Sequence, residues 1–462
     1  MAYTDFIAAV DLGTSHMVGM VGKKDASGKL SILAYETDSS DNCIRRGCIY
    51  NVKETAGKIN RLVRLLENKV ETSITKIYIG VGGQSLRTME HKVTRVLGNG
   101  AVTEEMLREM NDECHKFLPD QLTVLDVASP TYYLDGEPEM EPLGMTGARI
   151  EAHYKLVVGR PLLRRSIENM CEHLRADVAG IVVTPLALAD LILTDQEKMS
   201  GSALIDFGAG VTSVTLFLGG KLSGCYVIPL GSQLITRDLM TLGIPEREGE
   251  RLKRSYGNAL WEKDADPQPI PVDLADGRHS GELKYSDINR VVEARCRELI
   301  ENVYARLVDA GVVNEPGYSL VIAGNGSVLK NLLEALAARC KMNVRYAAVR
   351  RDCIADGEMI ANNHVYMTAA ALLLKGTVNC ALVQPEIKQP EKPKREVVKE
   401  PVTVVEEDPQ PEWKDPEPPV QQQPQPEPKP KPKQPEKKGG GFFGSLFDSV
   451  SKRLDEAMKD VE

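Results

Sequence analysis

The sequence predicts an α/β protein of two related lobes, followed by a disordered proline-rich linker and an amphipathic helix. One element, a strand followed by an aspartate and a glycine turn, occurs twice, about two hundred residues apart, which indicates a duplicated lobe. A third strand also ends in a glycine turn, and proline becomes abruptly frequent after residue 383. With 462 residues, 42% of them hydrophobic, the chain is long enough for two large lobes.

The three glycine turns follow short apolar runs that are typical of buried strands. The first two precede a further β-rich run, which predicts a hairpin, whereas helical spacing follows the third. The runs and their turns are Phe6 to Val10 before 11–15, Ala203 to Ile205 before 206–212, and Leu320 to Ile322 before 323–327.

Turns of this kind suit the binding of phosphate, because glycine lets backbone N–H groups approach an anion closely. The aspartates that begin the first two turns, Asp11 and Asp206, are candidates to hold Mg²⁺ through water, since Mg²⁺ prefers oxygen ligands and keeps part of its hydration shell. The third turn suits the nucleoside. The candidate binding residues are Gly13, Thr14, Ser15, Gly208, Ala209, Gly210, Thr212, Gly324, Asn325 and Gly326.

Three such turns in this order resemble the two phosphate loops and the adenosine loop of the superfamily of actin, sugar kinases and heat-shock chaperones. The P-loop pattern GxxxxGK[ST] is absent from the sequence. The resemblance implies an actin-like fold that binds ATP and Mg²⁺. The third loop has Asn325 between two glycines, where the superfamily usually has two adjacent glycines.

Further motifs are similar to those of the bacterial cell-division family FtsA. The segments 79–85, 130–136 and 142–153 resemble the beginning and end of the extra subdomain of that family, and Arg251 to Gly257 and Val291 to Arg295 resemble its later helices. The resemblance implies an actin-like core at 1–383, with an inserted subdomain at about 84–165 and a second lobe at about 200–383. It also implies that Glu250 and Lys253 line the nucleoside pocket.

The family resemblance implies a function as well. FtsA proteins polymerise on the inner face of the membrane at the division septum, bind the C-terminal peptide of FtsZ and meet other division proteins. On this chain the peptide would meet a helix that carries Arg290, Arg295 and Arg297, and cations suit a carboxylate-bearing peptide. An internal pairing of these arginines with Glu293 and Glu298 is the alternative interpretation.

One position departs from actin-like enzymes. Those proteins place Gln or Glu where it orients the attacking water, and Thr184 occupies the matching position here. A threonine hydroxyl is a poor substitute in activating water. We therefore expect ATP hydrolysis to be slow or absent.

The C-terminal end combines a predicted disordered linker at 384–441 with a predicted in-plane membrane helix at 442–462. The linker contains more than half of the 27 prolines, a composition that cannot bury enough apolar surface to order itself. The helix contains three of the seven phenylalanines, and its apolar residues repeat at helical spacing. The candidate membrane residues are Phe442, Phe443, Leu446, Phe447, Val450, Leu454 and Met458.

Composition excludes some classes of protein and leaves others open. A net charge of −9 without a basic stripe argues against nucleic acid as a partner. Nine cysteines without a CxxC pair indicate a reducing compartment, and no signal pattern or membrane span is evident, so we expect a peripheral protein on the cytoplasmic side. The alternatives are an actin-like scaffold of pilus assembly or rod shape and, in another class, a small-molecule kinase.

Overall fold

The structure, a computed structural model, describes residues 5–98, 100–261 and 268–382. The predicted linker and the predicted terminal helix lie outside these ranges. The described residues belong to one compact unit, 1–387. No helix within them is both long and apolar enough to cross a bilayer.

Among the elements of the described residues, strands outnumber helices. The strands are β1 (Ile7–Leu12), β2 (His16–Lys24), β3 (Leu30–Ser39), β4 (Ile44–Arg45), β5 (Cys48–Ile49), β6 (Lys76–Val81), β7 (Arg87–Val96), β8 (Thr123–Val127), β9 (Thr131–Leu134), β10 (Glu137–Glu139), β11 (Arg149–Gly159), β12 (Asp177–Val183), β13 (Ser202–Phe207), β14 (Thr212–Leu218), β15 (Lys221–Ile228), β16 (Ile270–Asp273), β17 (Ser280–Leu283), β18 (Ser319–Ala323), β19 (Asn343–Tyr346) and β20 (Ile354–Asp356).

The helices vary from one turn to seven turns. They are α1 (Val52–Val70), α2 (Glu104–Lys116), α3 (Pro161–Cys171), α4 (Thr184–Ile192), α5 (Asp195–Ser200), α6 (Gln233–Met240), α7 (Glu246–Tyr256), α8 (Tyr285–Asp309), α9 (Leu332–Cys340), α10 (Glu358–Ala361) and α11 (Met367–Lys375), and a 3-10 turn covers Asn325–Val328.

The first lobe is built on a six-stranded sheet with the order β12–β6–β1–β2–β3–β20. The predicted hairpin of β1 and β2 is confirmed, with Ile7 opposite Gly22 and Leu12 opposite Met17. Helix α1 covers the sheet because it buries apolar residues three and four positions apart, among them Ile59.

The second lobe shares a ten-stranded sheet with the inserted subdomain. Its main path is β10–β9–β11–β7–β15–β14–β13–β18–β19, and β8 pairs with β11. The second predicted hairpin, β13 with β14, is confirmed, with Asp206 opposite Ser213. Strand β18 runs parallel to β13, with Asp206 beside Ala323. Parallel neighbours end at the same edge of the sheet, so the second and third glycine turns lie side by side.

Strands β7 to β11 and helix α2 have a hydrophobic core of their own, which includes Met110, Tyr154 and Leu156. Strand β7 also meets β15 of the second lobe, where Lys221 Nζ donates to the carbonyl oxygen of Pro130 at 2.6 Å. The sequence suggested that the inserted subdomain ends at about residue 165, which is several residues too late. Strand β11 ends at Gly159, and the following α3 packs against α1 in the first lobe.

The C-terminal limit that the sequence suggested for the second lobe, residue 383, is wrong. Strand β20 pairs with β3 in the sheet of the first lobe, and α11 packs on β1 and α4. The apolar face of α11, including Ala370 and Leu373, is fully buried there. The chain therefore returns to the first lobe after β19.

Candidate functional site

The three glycine turns come together in the fold. Residues of all three line one cavity of about 130 Å³, between the ends of β1, β13 and β18. Its walls contain Asp11 to His16 from the first turn, Asp206 and Gly208 to Val211 from the second, and Gly324 with Asn325 from the third. Ten of the twelve site residues predicted in the glycine turns, Asp11 and Asp206 among them, thus line one cavity.

Two glycines are required by the closeness of these turns. A Cβ atom at Gly210 would lie 2.5 Å from Oγ1 of Thr14, so any side chain would separate the first two turns. Gly324 has φ +81°, a left-handed conformation that favours glycine, and a Cβ atom there would collide with the carboxylate of Asp206.

The two aspartates have unusual protonation equilibria. Withdrawal from water, and then the charge of Asp206, raise the pKa of Asp11 from 3.8 to about 7, although a backbone hydrogen bond at Leu12 lowers it in part. Burial raises the pKa of Asp206 from 3.8 to about 6. Two carboxylates whose charged forms are disfavoured by burial, and in Asp11 also by the charge of Asp206, suit a cation close to them.

The donor set fits Mg²⁺ better than a transition metal. Two carboxylates offer oxygen ligands, and no group of three or more His, Cys, Asp or Glu side chains in the described residues could form a closed protein cage. Mg²⁺ commonly takes one or two protein carboxylates, together with water and substrate phosphate. Asp11 and Asp206 would hold it through water.

Two residues that the sequence predicted to bind the nucleotide do not line the cavity. Thr212 is buried and its hydroxyl donates to the carbonyl oxygen of Leu230 at 2.9 Å, so it stabilises the turn and does not line the cavity. Gly326 packs against Phe207, and it does not line the cavity either. Both residues support the backbone of the glycine turns without lining the cavity.

Thr184 lines the cavity as the first residue of α4, where Pro185 follows it. His364, from the loop between α10 and α11, lines the same cavity, and sequence reasoning missed it because a lone histidine in a polar loop carries no pattern. Its buried Nδ1 has no hydrogen-bond partner, and burial lowers the pKa of its ring below 6.5. Gly47 and Gly82 were also missed.

Glu250 and Lys253 lie on α7 and bind each other, with 2.6 Å between Nζ and Oε2. Thr236 donates to the same carboxylate at 2.7 Å. Burial alone would raise the pKa of Glu250, but the hydrogen bond and the charge of Lys253, with help from Thr236 and Arg254, lower it to about 2. The pair does not line the 130 Å³ cavity, so its place beside a nucleoside stays a prediction.

The three arginines of α8 do not form the free cationic surface that the sequence suggested. Arg295 is partly buried and donates to both carboxylate oxygens of Asp238 on α6, at 2.6 and 3.0 Å, and it also contacts Glu298. Arg297 pairs with Glu293 at 3.1 Å but remains exposed. Arg290 is exposed and has no ion pair in the described residues. The internal pairing that the sequence left open therefore holds for two of the three.

Two family models match the chain. The model described as "Cell division protein FtsA" matches residues 203–371, and the model described as "SHS2 domain inserted in FTSA" matches residues 83–158. The second range coincides closely with strands β7 to β11.

Curated relatives cover most of the chain. A cell division protein FtsA of Porphyromonas gingivalis is 30% identical over 379 residues, which is 81% of this chain and 78% of the relative. The FtsA proteins of Pseudomonas aeruginosa and Bacillus subtilis are 26% and 25% identical, and the matches cover 80% and 81% of this chain and 89% and 84% of those relatives.

Among solved structures, the PilM-PilN type IV pilus biogenesis complex is similar in fold, with a TM-score of 0.57 and 14% identity, over 80% of this chain and 98% of that one. At this identity the likeness concerns the fold alone. The predicted actin-like fold with an inserted subdomain is confirmed.

Proposed function

Because this chain belongs to the FtsA family of actin-like cell-division proteins, we propose that it binds Mg-ATP in the cleft, polymerises on the inner membrane face at the division septum and tethers FtsZ filaments there. Membership in the family supports a role in division. ATP, Mg²⁺, the membrane and FtsZ are parts of the proposal.

The observation that carries the nucleotide site is the convergence of three glycine turns on a cavity that contains two carboxylates of raised pKa. Backbone N–H groups at Gly13, Thr14 and Gly210 can donate to phosphate oxygens, and Asp11 with Asp206 can orient the water around Mg²⁺. The N–H of Gly208 donates to the carbonyl oxygen of Val211 at 3.0 Å, so Gly208 shapes the second turn. When bound, Mg²⁺ supplies positive charge that neutralises the phosphates.

The membrane and partner roles rest on sequence and family. The predicted helix at 442–462 supports attachment in the membrane plane, and polymerisation would add avidity through many tails. The alternative of a pilus-assembly scaffold shares the fold, whereas the matching family models and the curated relatives above belong to division proteins.

Co-sedimentation with ATP, anionic vesicles and FtsZ, each omitted in turn, tests the combined proposal. We expect the chain to pellet with vesicles, and FtsZ to pellet with vesicles only when the chain is present. FtsZ that stays in the supernatant in the complete mixture contradicts the tethering role.

Turnover of ATP should be slow, because Thr184, which lines the cavity, matches by resemblance the position where actin-like enzymes have a water-orienting Gln or Glu. We expect a rate far below the roughly 1 to 100 per second of kinases. Phosphate release measured over hours with Mg-ATP checks this, and Thr184→Gln should raise the rate. Kinase-like turnover by the wild-type protein contradicts the prediction.

Binding of a carboxylate-bearing FtsZ peptide should depend on Arg290 and Arg297, the two exposed cations of α8. We expect Arg290→Glu with Arg297→Glu to weaken the peptide about tenfold, because rim charges act through electrostatic complementarity. Fluorescence anisotropy at low and high salt measures the affinity.

The matched control is Arg306→Glu, a charge reversal near the other end of α8. Arg295→Glu is a different test, since it would also break the pair with Asp238 and lower the melting temperature. Equal peptide affinity for the double variant and the control would refute this surface.

A further inference from the structure

The cavity between the glycine turns has no positive side chain. Its walls contain the carboxylates of Asp11 and Asp206 and two histidines, but no lysine or arginine. A nucleoside triphosphate remains negative after it binds one Mg²⁺, and the two carboxylates add to that charge. Cations are therefore needed close to the phosphate turns.

Cations line a larger recess of about 1170 Å³ that shares Thr14, Ala209 and Gly210 with the cavity. Arg45 and Arg46 of the first lobe and Arg237 of α6 in the second lobe line its walls. All three are exposed, and none forms an ion pair within the described residues. Arg45 lies 3.9 Å over the ring of Tyr50. The carboxylates in the walls are Asp41 and Glu246, so the recess is net positive.

Arg45 and Arg46 belong to a hairpin that is fixed to the first phosphate turn. Strands β4 and β5 are joined by Arg46 and Gly47, and the N–H of Gly47 donates to Oγ1 of Thr14 at 3.0 Å. A Cβ atom at Gly47 would lie 2.8 Å from the Cα of Gly83, and the N–H of Gln84 donates to the carbonyl of Arg46 at 2.9 Å. The backbone of the turn is thus held between the phosphate turn and residues 83–84.

The backbone of Arg46 is strained for an arginine. Its φ of +49° is left-handed, a conformation that favours glycine and disfavours residues with a Cβ atom. A two-residue hairpin turn commonly has glycine or asparagine at such a position. Strain of this kind persists where the surrounding structure fixes the backbone, as the hydrogen bonds to Thr14 and from Gln84 do here.

We propose that the β4–β5 turn is a third phosphate-binding element, in which Arg46, with Arg45 beside it and Arg237 across the cleft, binds the terminal phosphates of the nucleotide. The inference rests on the proposed nucleotide site. Guanidinium groups match phosphate oxygens with two parallel hydrogen bonds, and arginines from both lobes would join the lobes through one ligand.

The substitution Arg46→Gly tests the proposal, because it removes the charge and suits the left-handed backbone. Calorimetry with Mg-ATP, Mg-ADP and adenosine should show about tenfold weaker binding of ATP, a smaller loss for ADP and no change for adenosine. Arg237→Gln should weaken ATP binding in the same order of ligands.

Lys341→Gly is the matched control. Lys341 is an exposed cation with φ +56°, and it lines neither the cavity nor the recess. Its replacement should leave ATP binding unchanged and should change the melting temperature in the same direction as Arg46→Gly.

Wild-type affinity for Mg-ATP in Arg46→Gly would overturn the inference, and the proposed nucleotide site would stand if Asp206→Asn loses affinity in the same assay. An equal loss for adenosine would also overturn it, since it would indicate damage away from the phosphates. Failure of the wild-type protein to bind Mg-ATP would overturn both.

Discussion

Asp206→Asn should weaken Mg-ATP binding about 100-fold, which corresponds to about 2.7 kcal/mol, and should at the same time stabilise the nucleotide-free protein. The first effect follows because the amide cannot replace the carboxylate that holds the hydrated Mg²⁺. The second follows because burial disfavours the charged form of Asp206, whose charge also raises the pKa of Asp11. Calorimetry and thermal denaturation measure the two effects.

The stabilisation depends on pH in a defined direction. The folded-state pKa of Asp206 is raised from 3.8 to about 6, so the folded protein binds more protons than the unfolded chain between about pH 4 and 7. Its free energy of unfolding therefore falls as the pH rises through this window. After a discount for solvent screening, Asp206→Asn should be about 1 kcal/mol more stable than the wild type at pH 8, and less so at pH 5.5.

Asp190→Asn is an instructive contrast. Burial raises the pKa of Asp190, but hydrogen bonds and charges from Lys198 and Lys375 outweigh it, and the pKa is lowered. This variant should lose stability and keep ATP affinity. Unchanged ATP affinity in Asp206→Asn would show that the carboxylate does not hold the metal.

Release from vesicles is the second large effect that we expect, for Phe443→Asp with Phe447→Asp. At 100° per residue these two fall on the apolar face of the predicted helix. From residue 439 onward, three cations accompany five acidic residues, so attraction to anionic lipid is weak. Affinity must come from apolar insertion, at about 1.5–3 kcal/mol for each fully buried large side chain. Vesicle flotation with and without ATP measures the release.

Ser445→Asp with Ser449→Asp provides the control, because it adds the same two charges to the opposite face. The control should float with vesicles, and both variants should bind ATP like the wild type. Flotation that survives the double phenylalanine change would place the membrane contact elsewhere in the chain.

The local sequence pattern was sufficient to predict the strands and turns around the site. The strand runs before Asp11 and Asp206 form the predicted hairpins, because a buried strand, a glycine turn and a second β-rich run are all encoded by neighbouring residues. The run before Gly324 leads into a 3-10 turn and then α9, as its helical spacing indicated. Motif order then indicated the family, since the glycine turns and the subdomain motifs follow one another in the chain.

Side-chain partners far apart in the sequence were beyond such reasoning. Arg295 donates to the carboxylate of Asp238, which lies 57 residues away in the sequence. The hydroxyl of Thr212 donates to the carbonyl oxygen of Leu230. The sequence had suggested that both side chains were available to a ligand or partner. A pattern of residues reports which face of an element is apolar, but not which distant group will lie opposite a polar side chain.

The sequence by itself determined the two phosphate hairpins, the third glycine turn, the family and the candidate metal aspartates, because each depends on residues adjacent in the chain. Only the tertiary structure decided that β20 and α11 return to the first lobe, that His364 enters the cavity and that Gly47 binds Thr14. These contacts join segments 33 to more than 300 residues apart, and they form because burying α11 and closing the cleft lower the free energy of the whole fold rather than of any one segment.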